Sequence, residues 1–175
     1  MVAHLPPPAL GGTPAAGLRR ALAAGLVAAL AALFFRTFVV EIVLVPSGSM
    51  APALLAGDRV AVDRLLYGGG FAPLSWLLPA RAPAPGDVVV FRSPEARSRL
   101  LVKRCVATGG QPFEGGYVPA GTLILLGDAR ESSHDSRAFG PVGQGAVVGR
   151  AAAVLWSVAP GSVAPRWGRT LARVR

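Results

Sequence analysis

A short segment around residue 48 carries two hydroxyl groups on a backbone of irregular shape. Residues 45–52 read Val-Pro-Ser-Gly-Ser-Met-Ala-Pro and follow an apolar run. The prolines and the glycine interrupt regular structure, so they present Ser47 and Ser49 at defined angles. A serine held in this way is a candidate nucleophile, although a bare Ser-Gly-Ser is also an ordinary turn.

The composition singles out one amine as a candidate base. Of the 18 basic residues, 17 are arginine, and Lys103 is the only lysine. A guanidinium keeps its proton in proteins, whereas a buried amine can lose it and then accept a proton from a hydroxyl. On a strand, Lys103 shares a face with Leu101 and Cys105, which predicts a cation against apolar surface. Snorkelling of a long side chain to solvent is the alternative.

A dense polar loop follows an apolar run at residues 123–126. Residues 127–137 alternate carboxylates and guanidiniums, which can lock a loop by charge-assisted hydrogen bonds. His134 is the histidine that could join a catalytic cluster, because His4 precedes the apolar N-terminal segment. A Ser-His-Asp hydrolase that uses His134 is therefore one alternative function.

The cysteine and histidine counts exclude a disulfide and the usual zinc sites. One cysteine, Cys105, cannot form an internal disulfide, and with two histidines it cannot supply four zinc ligands. We expect no metal and no cofactor.

Composition indicates one domain with a membrane-embedded part. The chain has 175 residues, of which 52% are hydrophobic and 15% charged, and a mean hydropathy of +0.49. These values exclude a disordered protein and leave little room for two full domains. The net charge of +9 fits an anionic partner, and its sign alone does not choose between lipid headgroups and nucleic acid.

The first 40 residues predict a tail and a membrane anchor. Residues 1–17 are rich in proline and glycine and are expected to be a disordered tail, followed by a transmembrane anchor at residues 18–40. Arg19 and Arg20 precede the uncharged run and place the N-terminus in the cytoplasm. The competing interpretation is a cleaved signal peptide with a small-x-small site at residues 29–31.

Residues 41–175 have the texture of a compact all-β domain. Short β-type runs broken by glycine and proline predict strands at residues 39–45, 59–62, 87–91, 100–106, 122–126 and 147–158. Residues 71–78 are too apolar for an ordinary loop and predict either a core flap or a patch that dips into the outer leaflet. The arginines near the C-terminus (Arg166, Arg169, Arg173, Arg175) predict a solvated basic tail.

These segments together resemble the bacterial type I signal peptidases, which are membrane-anchored serine-lysine proteases. The resemblance covers the anchor with its Arg-Thr-Phe exit at residues 36–38 and four further motifs in the family's order. They are Pro-Ser-Gly-Ser-Met with the following Gly-Asp, Gly-Asp-Val-Val-Val-Phe at 86–91, Val-Lys-Arg at 102–104, and the polar loop with Phe-Gly-Pro-Val at 139–142.

The resemblance implies a role for each matching residue. Ser49 matches the nucleophile and Lys103 the general base. Ser47 matches the serine whose hydroxyl forms the oxyanion hole together with the Ser49 N–H, and Ser133 matches the serine that orients the lysine. Asp135 and Arg137 match a supporting ion pair, with Asp128 and Arg130 in the same loop. The implied substrate walls are apolar: Val43, Val45, Met50, Leu54, Leu101 and Val102.

The implied protein is an all-β, signal-peptidase-like antiparallel domain behind one transmembrane helix. It would remove signal peptides from exported preproteins at the outer surface of the bacterial inner membrane, near the translocation machinery and in contact with lipid, without a nucleic-acid partner. Ala129, where the family usually has Asn, leaves room for a specialised relative that matures a narrow substrate such as a conjugation pilin. A catalytically silent, membrane-tethered peptide-binding domain is a further alternative.

Overall fold

The computed structural model describes residues 14–34, 39–67 and 81–174. The chain forms two units, Met1–Phe35 and Arg36–Arg175. The apolar segment at residues 71–78 and the exit motif at residues 36–38 lie outside the described residues.

The first unit contains one apolar helix, α1, which spans Pro14–Phe34. Its alanines and leucines are strong helix formers, and proline is well tolerated in a first turn. The window Gly17–Phe34 has a mean hydropathy of 1.6 and no buried residues. At about 1.5 Å per residue it approaches the thickness of a bilayer core, so the helix could cross a membrane.

The boundaries of this helix correct two expectations. Residues 14–17, assigned to a disordered tail, are helical, because alanines follow Pro14 and continue the apolar run. Val40, assigned to the anchor, begins a strand. Its β-branched side chain starts a run of such residues that favours extended backbone.

The second unit is a mostly antiparallel β domain, which confirms the predicted all-β class. Its longer strands are β1 (Val40–Leu44), β2 (Asp58–Asp63), β3 (Val88–Arg92), β4 (Leu100–Thr108), β7 (Thr122–Leu126) and β9 (Val147–Ser157). Two-residue strands complete it: β5 (Pro112–Phe113), β6 (Gly116–Tyr117), β8 (Val142–Gly143) and β10 (Ala172–Arg173). A one-turn helix, α2, spans Ser136–Phe139.

All six predicted strands are present within one or two residues of their predicted ends. In the described part of the chain, the main sheet has eight strands in the order β1-β2-β9-β3-β4-β7-β8, with β10 paired to β9. β5 and β6 form a separate pair. The short strands escaped prediction because two residues carry no periodicity.

β3 lies in the middle of this sheet and explains where the core forms. Its first four residues are buried, and they alternate between two apolar clusters. Val88 and Val90 belong to one cluster, while Val89 and Phe91 belong to the other. The sheet therefore has apolar packing on both faces around β3.

β4 has one open edge at its N-terminal end. It pairs with β3 from Leu100 to Arg104, but with β7 only from Arg104 onward. Among the described residues, the stretch 100–103 thus has a partner strand on one side only. The unpaired backbone groups of such an edge can accept another extended chain.

The C-terminal segment is docked on the domain, which corrects the expectation of a solvated tail. β10 pairs with β9, and Val174 is buried. Arg169 places its Nη2 2.6 Å from Oδ2 of Asp58, a carboxylate with no accessible surface. The tail is ordered because this buried charge requires a counter-charge. Arg175 lies outside the described residues.

Candidate active site

The loop after β1 presents Ser49 from a tightly closed turn. Val45 donates its N–H to Asp58 O at 2.9 Å, and Gly57 donates to Val45 O at 2.9 Å, so both ends of the loop are joined. Gly57 has a φ of +90°, and a Cβ there would stand 1.8 Å from Val158 O, which only glycine avoids. Ser49 is half-buried on this closed loop.

Two C-terminal arginines brace the same loop from behind. Arg169 donates to Ala53 O at 3.0 Å, and Arg166 donates to Ala56 O at 2.6 Å. Both guanidiniums also contact Asp58, where the loop returns to the sheet. The structure therefore couples the segment that carries Ser49 to the chain end more than a hundred residues later.

Lys103 meets Ser49 from the open end of β4. Its Nζ lies 2.8 Å from Ser49 Oγ and donates to Ser133 Oγ at 3.0 Å. The residue is 4% exposed, so the amine is shielded rather than snorkelling to solvent. A hydroxyl and a buried amine at this distance can exchange a proton directly.

Burial lowers the pKa of this amine. Desolvation is the largest influence and lowers the pKa of Lys103 below its ordinary value. Asp135 and Asp128 act in the opposite direction, while Arg137 and Arg99 lower it further. Among the described side chains, its hydrogen-bonding neighbours are hydroxyls and not carboxylates, so burial dominates.

Gly127 permits the approach of Ser133 to the lysine. A Cβ at Gly127 would lie 2.1 Å from Ser133 Oγ and 2.6 Å from Ser49 O. No side chain fits in this space, so Gly127 is a requirement of the site that the sequence analysis did not single out. A glycine directly after an apolar strand and before an acidic loop was the available signal.

Asp135 and Arg137 hold the polar loop under the lysine. Arg137 Nε lies 2.9 Å from Asp135 Oδ1, and Gly127 donates its N–H to Asp135 Oδ2 at 3.0 Å. Burial alone would raise the pKa of Asp135, but these hydrogen bonds outweigh it and keep the pKa well below its usual range. Arg137 also donates to Arg130 O at 2.5 Å, which ties the loop to itself.

Asp128 has a different partner from its loop neighbour Arg130. Arg104 binds Asp128 in a bidentate contact, with Nε 2.8 Å from Oδ1 and Nη2 2.7 Å from Oδ2. Arg130 contributes its carbonyl to the loop instead. The two basic neighbours on β4 thus differ in environment. Arg104 forms an ion pair with Asp128, whereas the described hydrogen-bond partners of Lys103 are hydroxyls.

Ser47 lies beside the nucleophile candidate on the solvent side. It is exposed, and its hydroxyl donates to Ser49 Oγ at 3.4 Å. From there it can turn towards an oxygen atom next to Ser49.

A pocket of about 270 Å³ opens beside these groups. Four of the six predicted wall residues line it: Val45, Met50, Leu101 and Val102. Leu54 has no accessible surface and packs in the core, and Val43 packs partly buried against the same cluster. Leu54 is therefore not a wall residue, because a side chain without accessible surface cannot contact a ligand, and we correct its role to packing beneath the wall. Val43 keeps some accessible surface but does not line this pocket, so its contact with a substrate stays a prediction.

The pocket also has lining residues that were not foreseen from the sequence, most of them polar. Its additional lining residues are Pro46, Ser93, Glu95, Arg99, Leu100, Ser132 and His134. His134 Nε2 lies 3.0 Å from Glu95 Oε1, and the imidazole edge packs on Phe139. Since Lys103, and not His134, contacts Ser49, the arrangement does not favour a Ser-His-Asp hydrolase.

No group of three metal-ligating side chains occurs among residues 14–34, 39–67 and 81–174.

Comparison with known proteins gives consistent matches over most of the chain. The family described as "Signal peptidase, peptidase S26" matches residues 18–114 and 111–156. A protein named signal peptidase I from Leptolyngbya laminosa is 32% identical over 161 residues, 73% of this chain and 74% of the relative. A probable signal peptidase I-1 from Synechocystis sp. is 30% identical over 178 residues, 82% of each chain. A signal peptidase I from Aquifex aeolicus is 34% identical over 85 residues, 49% of this chain and 29% of the relative.

Proposed function

The chain belongs to the signal peptidase family, peptidase S26, and from this premise we propose that it is a signal peptidase I. As a serine endopeptidase, it removes N-terminal signal peptides from exported preproteins. The observation that carries the proposal is the 2.8 Å contact between Ser49 Oγ and the buried Lys103 Nζ. A silent peptide-binding domain would have no need of an amine whose pKa is lowered beside a hydroxyl.

In this proposal Ser49 is the nucleophile and Lys103 the general base, and the two residues are called the dyad below. The neutral amine accepts the Ser49 proton as Oγ attacks the scissile carbonyl, and it passes that proton to the leaving amine when the peptide bond breaks. The acyl-enzyme ester is then hydrolysed by a water that Lys103 deprotonates in the same way. The lowered pKa of Lys103 supports this role, because a base must be unprotonated at working pH.

Ser47 and Ser133 assist the two reacting groups. The Ser47 hydroxyl and the Ser49 N–H would donate to the oxygen that becomes negative during attack. Ser133 would orient the amine, which its 3.0 Å contact supports. Asp135 and Arg137, with Asp128 and Arg130 in the same loop, would keep Ser133 in place.

The substrate would add as a strand to the open edge of β4. Among the described residues, no strand pairs with residues 100–103 on the side away from β3, and the pocket follows the same stretch. Val45, Met50, Leu101 and Val102 leave shallow space, so small side chains would fit one and three residues before the scissile bond. Phe at either position should be excluded, and Val45→Ala should partly restore its acceptance.

We also propose the topology and the surroundings of the protein. The apolar helix α1, which ends at Phe34, would cross the bacterial inner membrane once, with Arg19 and Arg20 holding the N-terminus in the cytoplasm. The catalytic domain, residues 41–175, would then lie outside, in contact with lipid and near the translocation machinery. Protease added to intact spheroplasts should reach this domain; protection until lysis would reverse the orientation.

A cleavage assay with matched variants tests the activity. The detergent-solubilised protein is incubated with a secretory preprotein and compared with Ser49→Ala and Ser162→Ala. Ser162 is exposed and remote in sequence from the dyad, so its variant should keep wild-type cleavage. Loss of cleavage in Ser49→Ala alone is expected. Equal cleavage by wild type and Ser49→Ala would refute the proposed nucleophile.

A further inference from the structure

The pocket continues past the dyad in one direction along β4. On this strand it is lined by Leu100, Leu101, Val102 and Lys103, and it extends to Arg99 just before the strand begins. Later residues of β4 do not line it, because β7 pairs with the strand from Arg104 onward. If the proposed function holds, a substrate bound along this edge reaches Arg99.

Arg99 differs from the other arginines around the site. Arg104 is bound to Asp128, and Arg137 is bound to Asp135. The Arg99 side chain is exposed and has no hydrogen-bond or ion-pair partner among the described residues. The backbone of Arg99 is nevertheless held, since it donates to Ala96 O at 2.8 Å and accepts from Ser93 N at 2.9 Å. A cation on a fixed backbone is thus left available inside the pocket.

The nearby carboxylate of Glu95 does not pair with the Arg99 guanidinium. Glu95 lines the same end of the pocket, but both of its carboxylate oxygens face His134 Nε2, at 3.0 and 3.1 Å. The Glu95 carboxylate already has a hydrogen-bond donor, whereas the Arg99 guanidinium has no acceptor within the described part of the chain. The unmet interaction at this end of the pocket is therefore that of a donor for an anionic group.

We propose that Arg99 is a specificity-determining residue that binds a carboxylate side chain, Asp or Glu, of the substrate. Arg99 precedes Lys103 by four residues, which on a strand corresponds to about 13 Å. A substrate strand that runs parallel to β4, with its scissile bond at Lys103, would bring the residue four or five positions upstream beside Arg99. The guanidinium fork can then bind both oxygens of a carboxylate.

The charge of Arg99 is felt at the dyad, which supports its place in the site. Together with burial and Arg137, it lowers the pKa of Lys103. Removing this charge should therefore raise the pKa of Lys103 and move the rise of activity with pH to higher pH. A residue that only filled space at the pocket mouth would leave this pH profile unchanged.

A peptide series with paired arginine variants tests the proposal. Peptides carry Glu, Gln or Lys at one position at a time, from three to seven residues before the scissile bond. The wild type should prefer Glu over Gln at position four or five by about fivefold in kcat/KM at low salt, and less at high salt. Arg99→Gln should abolish this preference, and Arg99→Glu should prefer Lys.

Arg97→Glu is the matched control, because it changes the net charge equally from two residues away. Arg97 lines a different cavity, with Pro141 and Gly145. This variant should keep the wild-type preference. A preference that persists in Arg99→Gln, or a wild-type preference for Lys, would overturn the proposal, and the second result would point to Glu95. If the wild type cleaved none of the peptides and no preprotein, the proposed function itself would fail.

Discussion

Lys103 and the aspartate–arginine pairs, called clamps below, bury ionisable groups in opposite ways. Lys103 is 4% exposed, and its amine contacts two hydroxyls. Asp135 has no exposed surface, and a guanidinium and a backbone N–H hold its carboxylate. A buried charge without a counter-charge is costly, so a group either finds one or gives up its own charge. The comparison teaches that this protein uses arginine to keep carboxylates charged and burial to lower the pKa of its lysine.

Aspartate–arginine pairs of this kind occur at several places in the domain. Each of four aspartates binds at least one guanidinium: Asp58, Asp87, Asp128 and Asp135. Asp58 ends the loop that carries Ser49, and Asp135 lies beneath Ser133. The loops around the site are therefore held by charged pairs, while the Lys103 amine contacts hydroxyls.

The largest effect is expected from changing the charge behaviour of the lysine. Lys103→Arg keeps a cation that cannot accept a proton, and Lys103→Met removes the amine at similar volume. Each should lower kcat/KM for a signal-peptide substrate by about 10³-fold or more. Steady-state cleavage assays measure this, with thermal unfolding to show that the fold persists. Substantial activity in Lys103→Arg would break the contrast between the amine and the guanidiniums.

The second effect is the loss of one clamp. Asp58→Ala leaves the partly buried guanidiniums of Arg166 and Arg169 without their carboxylate. We expect the free energy of unfolding to fall by about 3 kcal/mol. Asp63→Ala is the control, because the hydrogen bonds that Asp63 accepts within the described part of the chain come from the backbone N–H groups of Leu65 and Leu66, so its loss should cost less. Urea titrations of both variants decide the matter, and equal losses would contradict the clamp.

Ser133→Ala tests whether the hydroxyl beside the amine orients it. Loss of the 3.0 Å contact should lower kcat by about tenfold, with KM little changed, because Ser133 does not line the pocket. The pH at which activity rises should shift, since a neighbour of the amine is lost. Ser162→Ala should match wild type in both measurements. An unchanged pH profile would reduce Ser133 to a packing role.

The smallest effects are opposite dependences of stability on pH. The folded pKa of Lys103 is lowered, so the folded protein binds fewer protons than the unfolded chain, and its stability rises with pH. Lys103→Met should therefore stabilise the protein at neutral pH, and the gain should fade as pH approaches about 10.4.

Asp87 should act in the acid range. Burial alone would raise its pKa, but Arg81, the Ala84 N–H and Tyr67 lower it to about 2. Its contribution of about 2 kcal/mol is present above about pH 4 and is lost as pH falls towards 2. Asp87→Asn should remove this dependence. Chemical denaturation between pH 2 and pH 10 measures the free energy of unfolding of both variants relative to wild type. The same pH dependence for the two variants would contradict the difference between a lysine whose pKa is lowered by burial and an aspartate whose pKa is lowered by its partners.

Much of the fold was readable from local pattern. Runs such as Val-Val-Val-Phe at residues 88–91 predict strands because β-branched and aromatic side chains favour extended backbone. The apolar helix was equally visible, since composition alone identifies a segment that could cross a membrane. Its ends were not, because helix and strand propensities overlap where an apolar helix leads into an apolar strand.

The sequence by itself determined which groups are available for chemistry: one lysine among arginines, and serines on a proline- and glycine-shaped loop. Only the tertiary structure decided which of them meet. Lys103 and Ser49 are 54 residues apart, Asp58 and Arg169 are 111 apart, and Asp128 pairs with Arg104 rather than with its neighbour Arg130. Strand register and loop closure set these contacts. Register and closure depend on packing across the whole sheet, so the local spacing of residues in the sequence does not predict these contacts.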